Sequence, residues 1–511
     1  MKTINDYAIF TLVGARCPHV QKQRRIFSIM KKKIVSVLLA TVLCASTVMA
    51  GCGDKNNGGN GTEATPAPST TDVSATEASV EEPAVVEAAK MEAPSTDGWD
   101  DSKKIYFYSW NDEFGSRMQY VLDAYPEYAD YVEYVNLGCS GTDGTYQQTI
   151  DELLETGASA DKYPSIIAAD NDVAKYYTES DYTVSMESVG ITDEMYANAY
   201  KYTKDYATYD GELKALTWQA TPGCLIYRTD IAEEVLGASD PDTVAEAVKD
   251  WDAFFATADK MKEAGYNMVA GPDEIKYACF DQQTSAWITE TDDGEALTLD
   301  KSVEDFFELS KKLYDGEYTA NASMWDATWN GEYEGKTFAY FGCTWSVYWC
   351  MAFNKDDDGN PVDGSTYGKW NICAAPVGYH WGGTYVMITK DCPNPELAAF
   401  LVYSLCCDED IMYTLACDTL DFVNNKAVIE KEIANGDGAS PILGGQNPVE
   451  VWAESVKTID LSNASYLDSE IKNYITDAAA AYNAGEVDSI DAAVQLVKDK
   501  VADAHPEITV E

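Results

Sequence analysis

The chain has 511 residues, with 36 Lys and Arg against 86 Asp and Glu, a formal charge of −50, and is 46% hydrophobic and 12% aromatic. That much apolar sequence buries a large core, which excludes global disorder, and the length suits two or more compact units. The acidic balance excludes nucleic acid as a partner, because phosphate contacts need clustered Lys and Arg, and an acidic surface is repelled by anionic lipid.

The N-terminal end breaks the acidic pattern. Lys31-Lys32-Lys33 precedes an apolar run from Ile34 to Ala45, and Val48-Met49-Ala50-Gly51-Cys52 follows. A basic start, a short apolar stretch and small residues at a cleavage point predict a secretory signal over 30–51. The run is too short for a permanent bilayer span, which needs about 20 residues. Met30 reads as the initiator, which makes residues 1–29 an upstream extension. Met49-Ala50-Gly51-Cys52 resembles a bacterial lipobox, in which Cys52 is acylated and becomes the mature N-terminus. Residues 52–100, rich in Asn, Gly, Thr, Ala, Pro, Ser and Glu, predict a disordered tether, since this composition buries too little apolar area to offset its ordering entropy.

The folded part is expected from about residue 101 to 511. Ile105 to Tyr108 reads as a strand ending at Trp110-Asn111-Asp112-Glu113, and a helix is expected from Phe114 to Ala124, before Pro126. A second strand spans Tyr131 to Leu137, a helix Tyr146 to Leu154, and a third strand Ser165 to Ala169, ending at Asp170-Asn171-Asp172. Later helices are expected over Val244–Ala264, Val303–Tyr314 and Pro395–Cys407, with a C-terminal set from Pro448. Strands alternating with helices predict an α/β fold with a mainly parallel sheet.

In open α/β sheets ligands sit beyond the carboxyl ends of strands. That makes Trp110, Asn111, Asp112, Glu113, Asp170 and Asp172 candidate ligand contacts, though helix capping also explains such residues. Carboxylates and amides chelate adjacent hydroxyls, and an indole covers the apolar C–H face of a sugar ring. Tryptophans recur beside polar residues at Trp218, at Trp325 and Trp329, at Trp345 and Trp349, and in Tyr379-His380-Trp381-Gly382-Gly383. Trp218, Trp345 and Trp381 join the candidates; core packing is the plainer alternative for any one of them.

No nucleophile elbow or P-loop is present. Asp356 to Asn360 fails as a calcium loop, with Pro361 where Gly is required and Tyr367 where Glu is required, and reads as an acidic turn. The mature chain holds His380 and His505 and no C-x-x-C pair, so neither a metal nor another cofactor is expected. Ten Cys remain after Cys17, Cys44 and Cys52 are set aside, and most are expected to be packed, reduced thiols.

Five ordered segments resemble bacterial extracellular solute-binding proteins of carbohydrate ABC importers, the group that includes maltose-binding protein. They are Ile105 to Asp112; Tyr163 to Asp170, with Ser165 where the family has Asp; Tyr209 to Trp218 with Leu225 to Asp230; Gly335 to Trp345; and Ala374 to Gly378 with Pro395 to Leu401. The resemblance implies a two-lobed periplasmic-binding-protein-like α/β fold with a hinge and an interlobe ligand cleft, its crossings near 217–221 and 342–345. It also implies a monomer that binds an oligosaccharide without catalysis and passes it to the transmembrane subunits of an ABC permease. The location implied is the extracellular face of the cell membrane, with contact to the membrane only through the lipid on Cys52. The competing readings are a secreted glycoside hydrolase or lyase with paired carboxylates and an adhesive surface lipoprotein.

Overall fold

The computed structural model describes residues 82–142, 144–292, 294–351, 362 and 364–510. The signal, the lipobox with Cys52, the start of the tether and the turn at 356–360 lie outside the described residues.

In chain order the elements that position the site are β1 (Ile105–Ser109), α1 (Glu113–Ala124), β2 (Val132–Asn136), α2 (Thr145–Thr156), β3 (Pro164–Asp170), α3 (Asn171–Thr178), β4 (Leu216–Thr217) and β5 (Gly223–Arg228). After them come α4 (Pro241–Val248), α5 (Trp251–Ala264), α6 (Lys276–Phe280), α7 (Lys301–Asp315), β6 (Ala339–Cys343), α8 (Thr344–Trp349), β7 (Trp370–Cys373) and β8 (Thr384–Ile388). The chain closes with α9 (Pro395–Cys406), α10 (Val449–Ser455), α11 (Asp468–Asn483) and α12 (Ile490–Ala504).

One sheet has the order β2-β1-β3-β8-β4, and a second has β6-β5-β7. In the first, β1 pairs in parallel with β2 and β3, while β8 runs antiparallel to both β3 and β4. β3 sits second from neither edge and is buried along all but its last residue, which is why it reads as a continuous apolar run. The second sheet is wholly antiparallel, so the expectation of mainly parallel pairing holds for only part of the first. The reason is topological. β5 leaves the segment joining the two sheets and runs away from it, whereas β6 and β7 run back toward it.

The chain passes from the first sheet to the second over 218–222, between β4 and β5. At 342–345 β6 gives way to α8, and the chain re-enters the first sheet only at Thr384. The passages lie side by side: Pro222 and His380 form an isolated antiparallel bridge, as do Gln219 and Val423. Gly223 is required here, because a Cβ would fall 2.3 Å from the Tyr379 ring. The Tyr379 hydroxyl donates to the carbonyls of Cys224 (2.9 Å) and Gly342 (2.6 Å), tying this passage to β5 and β6.

Two expected boundaries differ. The helix expected over Val244–Ala264 is two helices, α4 and α5, because the Asp250 carboxylate accepts from the Ala253 amide at 2.7 Å and starts a new helix. The tether does not extend to residue 100. Residues 82–99 lie against the domain: Glu82 pairs with Lys426 at 3.2 Å, Val86 N–H donates to Asn198, Ala89 N–H to the Glu194 carbonyl, and Tyr128 donates to the Pro94 carbonyl. Met91 and Trp99 also pack on the core. Composition hid these few anchoring residues among polar neighbours.

Buried thiols such as Cys224, Cys343 and Cys373 fill both cores, and burial pushes their ionisation up.

Candidate functional site

The ends of β1 and β3 share one edge of the first sheet, because the two strands are parallel neighbours in register from Tyr108 and Ile167. Asp170 ends β3 and caps α3, accepting from the Asp172 amide at 3.0 Å. Glu113 opens α1 from the end of β1. Both carboxyls are pushed up from the usual carboxylate range, chiefly by burial. For Asp170 the neighbouring charges of Asp172 and Glu113 add to this, and the hydrogen bond from the Asp172 amide opposes it in part. For Glu113 the cation of Arg117, at 3.9 Å, opposes the shift in part. Arg117 is itself held by Asp421 through two contacts of 2.7 and 2.9 Å.

The segment from His380 to Thr384 carries the site from this polar wall to an aromatic one. The Thr384 hydroxyl donates to Glu113 at 3.4 Å, and the Gly383 carbonyl accepts from the Asn171 amide at 2.9 Å. The Gly382 carbonyl accepts from the Thr221 hydroxyl at 2.8 Å, and the Trp381 carbonyl from the Trp345 indole N–H at 3.0 Å. Trp381 stacks on Tyr277 of α6 with centroids 5.1 Å apart and meets Trp345 edge-on at 4.8 Å. Trp325 lies parallel to Trp345, at 6.0 Å and 7°, and tilted to Trp381 at 5.6 Å. Burial of α6 beside this wall depresses the Lys276 ammonium, against the pull of Asp273 and Asp172.

The structure thus gathers four of the expected residues, Glu113, Asp170, Trp345 and Trp381, around one segment. Asp172 lies just behind, lining a small polar pocket with Lys276, Tyr277 and Lys472 between α3 and α11. The others differ. Trp218 is fully buried, stacked on Phe114 at 5.9 Å and 7°; it is core, because its side chain packs beneath α1. Asn111 pins the turn before α1 by accepting from the Glu113 amide at 2.9 Å. Asp112 accepts from Asn136 at 2.6 Å on the exposed rim. Trp110 packs edge-on to Tyr146 and against Gly141, where a Cβ would fall 2.8 Å from the indole. Trp381 is only 5% exposed, covered by its aromatic neighbours. Sequence reasoning missed Tyr277 and Thr384. A tyrosine in a short helix and a threonine opening a strand carry no sequence signal, whereas Trp325 was visible in its aromatic cluster.

Two sheets joined by adjacent passages, with polar and aromatic walls meeting at those passages, define a two-lobed binding protein. The family model for bacterial extracellular solute-binding proteins matches residues 139–434, and the chain belongs to that family. Among solved structures it is similar to an extracellular solute-binding protein of family 1 (17% identity, TM-score 0.64, covering 78% of this chain and 99% of that one). It is also similar to an ABC-transporter-associated binding protein from B. animalis subsp. lactis Bl-04 in complex with beta-1,6-galactobiose (18%, TM-score 0.58, 80% and 99%). A third is the galacto-N-biose/lacto-N-biose I-binding protein of Bifidobacterium longum (14%, TM-score 0.59, 81% and 100%). A search of curated protein sequences finds no match.

Proposed function

We propose that the protein binds an oligosaccharide between its lobes, outside the cell, and delivers it to an ABC-type permease without making or breaking bonds. The observation that carries this reading is the meeting of half-buried carboxylates, Glu113 and Asp170, with an indole wall of Trp345 and Trp325, backed by Trp381, at the passages between sheets. Carboxylates chelate hydroxyl pairs, and indoles cover the C–H face of a pyranose. The lacto-N-biose- and galactobiose-binding neighbours, which share the fold, support the choice of sugar among solutes. Ligand that touches both lobes favours the closed arrangement by its extra contacts there, and the permease would recognise that arrangement. The lobes are assigned to the two sheets, with hinge passages at 218–222 and 374–383. The protein acts as a monomer held by a lipid on Cys52.

The test is titration calorimetry against beta-1,6-galactobiose, lacto-N-biose and maltotetraose, with chromatography of each sugar after long incubation. Saturable binding with the sugar recovered intact is the expected result. Cleaved or eliminated products would favour the paired-carboxylate enzyme instead, and neither binding nor product would sink the sugar reading.

A further inference from the structure

Arg117 lies one helical turn after Glu113 on α1, the spacing at which a guanidinium ordinarily closes on a carboxylate. Here it turns elsewhere. Arg117 gives both prongs of its fork to Asp421, Nε at 2.7 Å and Nη2 at 2.9 Å, across 304 residues of chain. Its Nη1 donates to the Ser116 hydroxyl at 3.2 Å. Glu113 is left with a charge contact of 3.9 Å, beyond hydrogen-bond reach. Its other oxygen accepts a long bond of 3.4 Å from Thr384, which in turn accepts from the Gln219 amide at 3.4 Å.

The backbone on either side of Asp421 puts it in that place. The helix Glu409–Thr419 ends at Leu420, whose backbone is left-handed at φ +63°, and this turns the chain out of the helix. Residues 422–424 then run along the 218–220 passage: the Ala220 amide donates to the Phe422 carbonyl at 2.9 Å, and the Asn424 amide to the Trp218 carbonyl at 2.8 Å. The Asn424 side chain donates to the Thr217 carbonyl at 3.2 Å. The Asp421 side chain is 10% exposed and that of Arg117 17%, so solvent screens the pair poorly. Two carboxylates compete for one guanidinium, and the bidentate geometry decides for Asp421.

We infer that Asp421 is a positioning residue for ligand binding: by holding the Arg117 fork it keeps the Glu113 carboxylate open to the hydroxyls of the ligand. This rests on the sugar-binding reading above. Without the Asp421 charge the guanidinium turns to its neighbour on α1 and occupies the oxygens that a ligand needs. The titratable groups facing Glu113 are Arg117 on its own helix, Asp421, Asp170 at the end of β3 and Tyr134 of β2. Arg117 lowers the Glu113 carboxyl and Asp421 raises it. Loss of the Asp421 charge and closure of Arg117 both act downward, so Glu113 ionises at lower pH in Asp421→Asn.

The experiment compares Asp421→Asn, Asp421→Glu and the double variant Asp421→Asn with Arg117→Gln against wild type. Calorimetry with beta-1,6-galactobiose, lacto-N-biose and maltotetraose is run at about pH 9, above the raised Glu113 value, so that this carboxyl is ionised in wild type and Asp421→Asn alike. Carboxyl NMR of the ligand-free proteins follows the Glu113 titration. Asp421→Asn is expected to lower the Glu113 midpoint and to weaken whichever of these sugars wild type binds by about tenfold, the loss of one charge-assisted hydrogen bond. Asp421→Glu keeps a carboxylate for the fork and is expected to bind close to wild type. The double variant removes the guanidinium that captures Glu113 and is expected to recover most of the lost affinity, which a merely structural role for Asp421 would not allow. Thermal melts check folding. Unchanged affinity or an unmoved Glu113 midpoint in Asp421→Asn overturns the inference and leaves sugar binding standing, as does a loss that the double variant does not recover. If Asp421→Asn does not fold, Arg117→Lys decides: lysine has no fork to hold against Asp421 and pairs with Glu113 as readily, so binding weakens, and unchanged binding overturns the inference. If wild type binds none of the three sugars, the sugar reading falls, and the role of Asp421 in binding falls with it.

Discussion

Glu113 and Asp170 are carboxyls placed where ionisation is costly, and that cost has a sign. In the unfolded chain a glutamate titrates near ~4.3; in the folded protein burial raises Glu113 to about 7. The folded state therefore holds its proton more tightly than the unfolded one, and stability falls as pH rises from the unfolded value through the folded one. Below the ordinary carboxylate range both states are protonated and the penalty vanishes. Glu113→Gln, which cannot ionise, is expected to melt higher than wild type at pH 8, by about 1 °C or more, and to match it near pH 4. The side chain is 28% exposed, so solvent absorbs part of the penalty and the shift stays modest. A variant that melts lower than wild type at pH 8 would show that Arg117 makes the ionised form net favourable. Under the proposed function the same variant is expected to weaken sugar binding at pH 8, because a carboxylate accepts from a pair of hydroxyls better than an amide oxygen does.

At the scale of elements, the segment at 82–99 behaves as part of the fold. Glu82 and Lys426 are each about nine-tenths buried, with side chains 11% and 8% exposed, and Glu82 also accepts from the Lys201 amide at 2.9 Å. Removing one partner of a buried pair leaves the other charge stranded, at a cost of roughly 3–5 kcal/mol. Glu82→Ala is expected to release the segment. Hydrogen exchange would then show lost protection at Val86 and Ala89, whose amides now bond to Asn198 and Glu194. Unchanged protection at both would mean that Met91 and Trp99 hold the segment without the ion pair.

This element also shows what the sequence made legible. β1, β3 and α1 were readable because burial imposes period and length on their apolar residues. The strand-end logic picked out Glu113 and Asp170 separately; the parallel pairing of β1 with β3 is what brings them to one edge of the sheet. Residues 82–99 were not readable, because two or three anchoring contacts in a polar stretch leave composition unchanged. Nor was the division of labour among tryptophans. Trp218, Trp325 and Trp381 all stand beside polar or small residues in sequence. Only packing separates them: Trp218 is buried under α1, Trp325 is half exposed, and Trp381 is covered by its aromatic neighbours.

At the scale of the whole molecule, charge bears on the proposed lipid anchor. No helix among the described residues is long and apolar enough to cross a membrane, and the chain carries a net charge of −50, which anionic lipid repels. Under the proposed export, a covalent lipid is one attachment that outweighs this repulsion. Acyl chains contribute about 0.8 kcal/mol per buried CH₂, enough for two chains to do so, and Cys52 is the residue proposed to carry them. Cys52→Ala is therefore expected to leave the membrane fraction and to lose labelling by fatty acid, while retaining the wild-type melting temperature. High salt separates this from an electrostatic or protein-mediated attachment. It screens charge but leaves acyl chains buried, so it should not extract the wild-type protein. A Cys52→Ala protein that still sediments with membranes, or a wild type released by salt, would overturn the lipid anchor and leave the proposed sugar binding untouched.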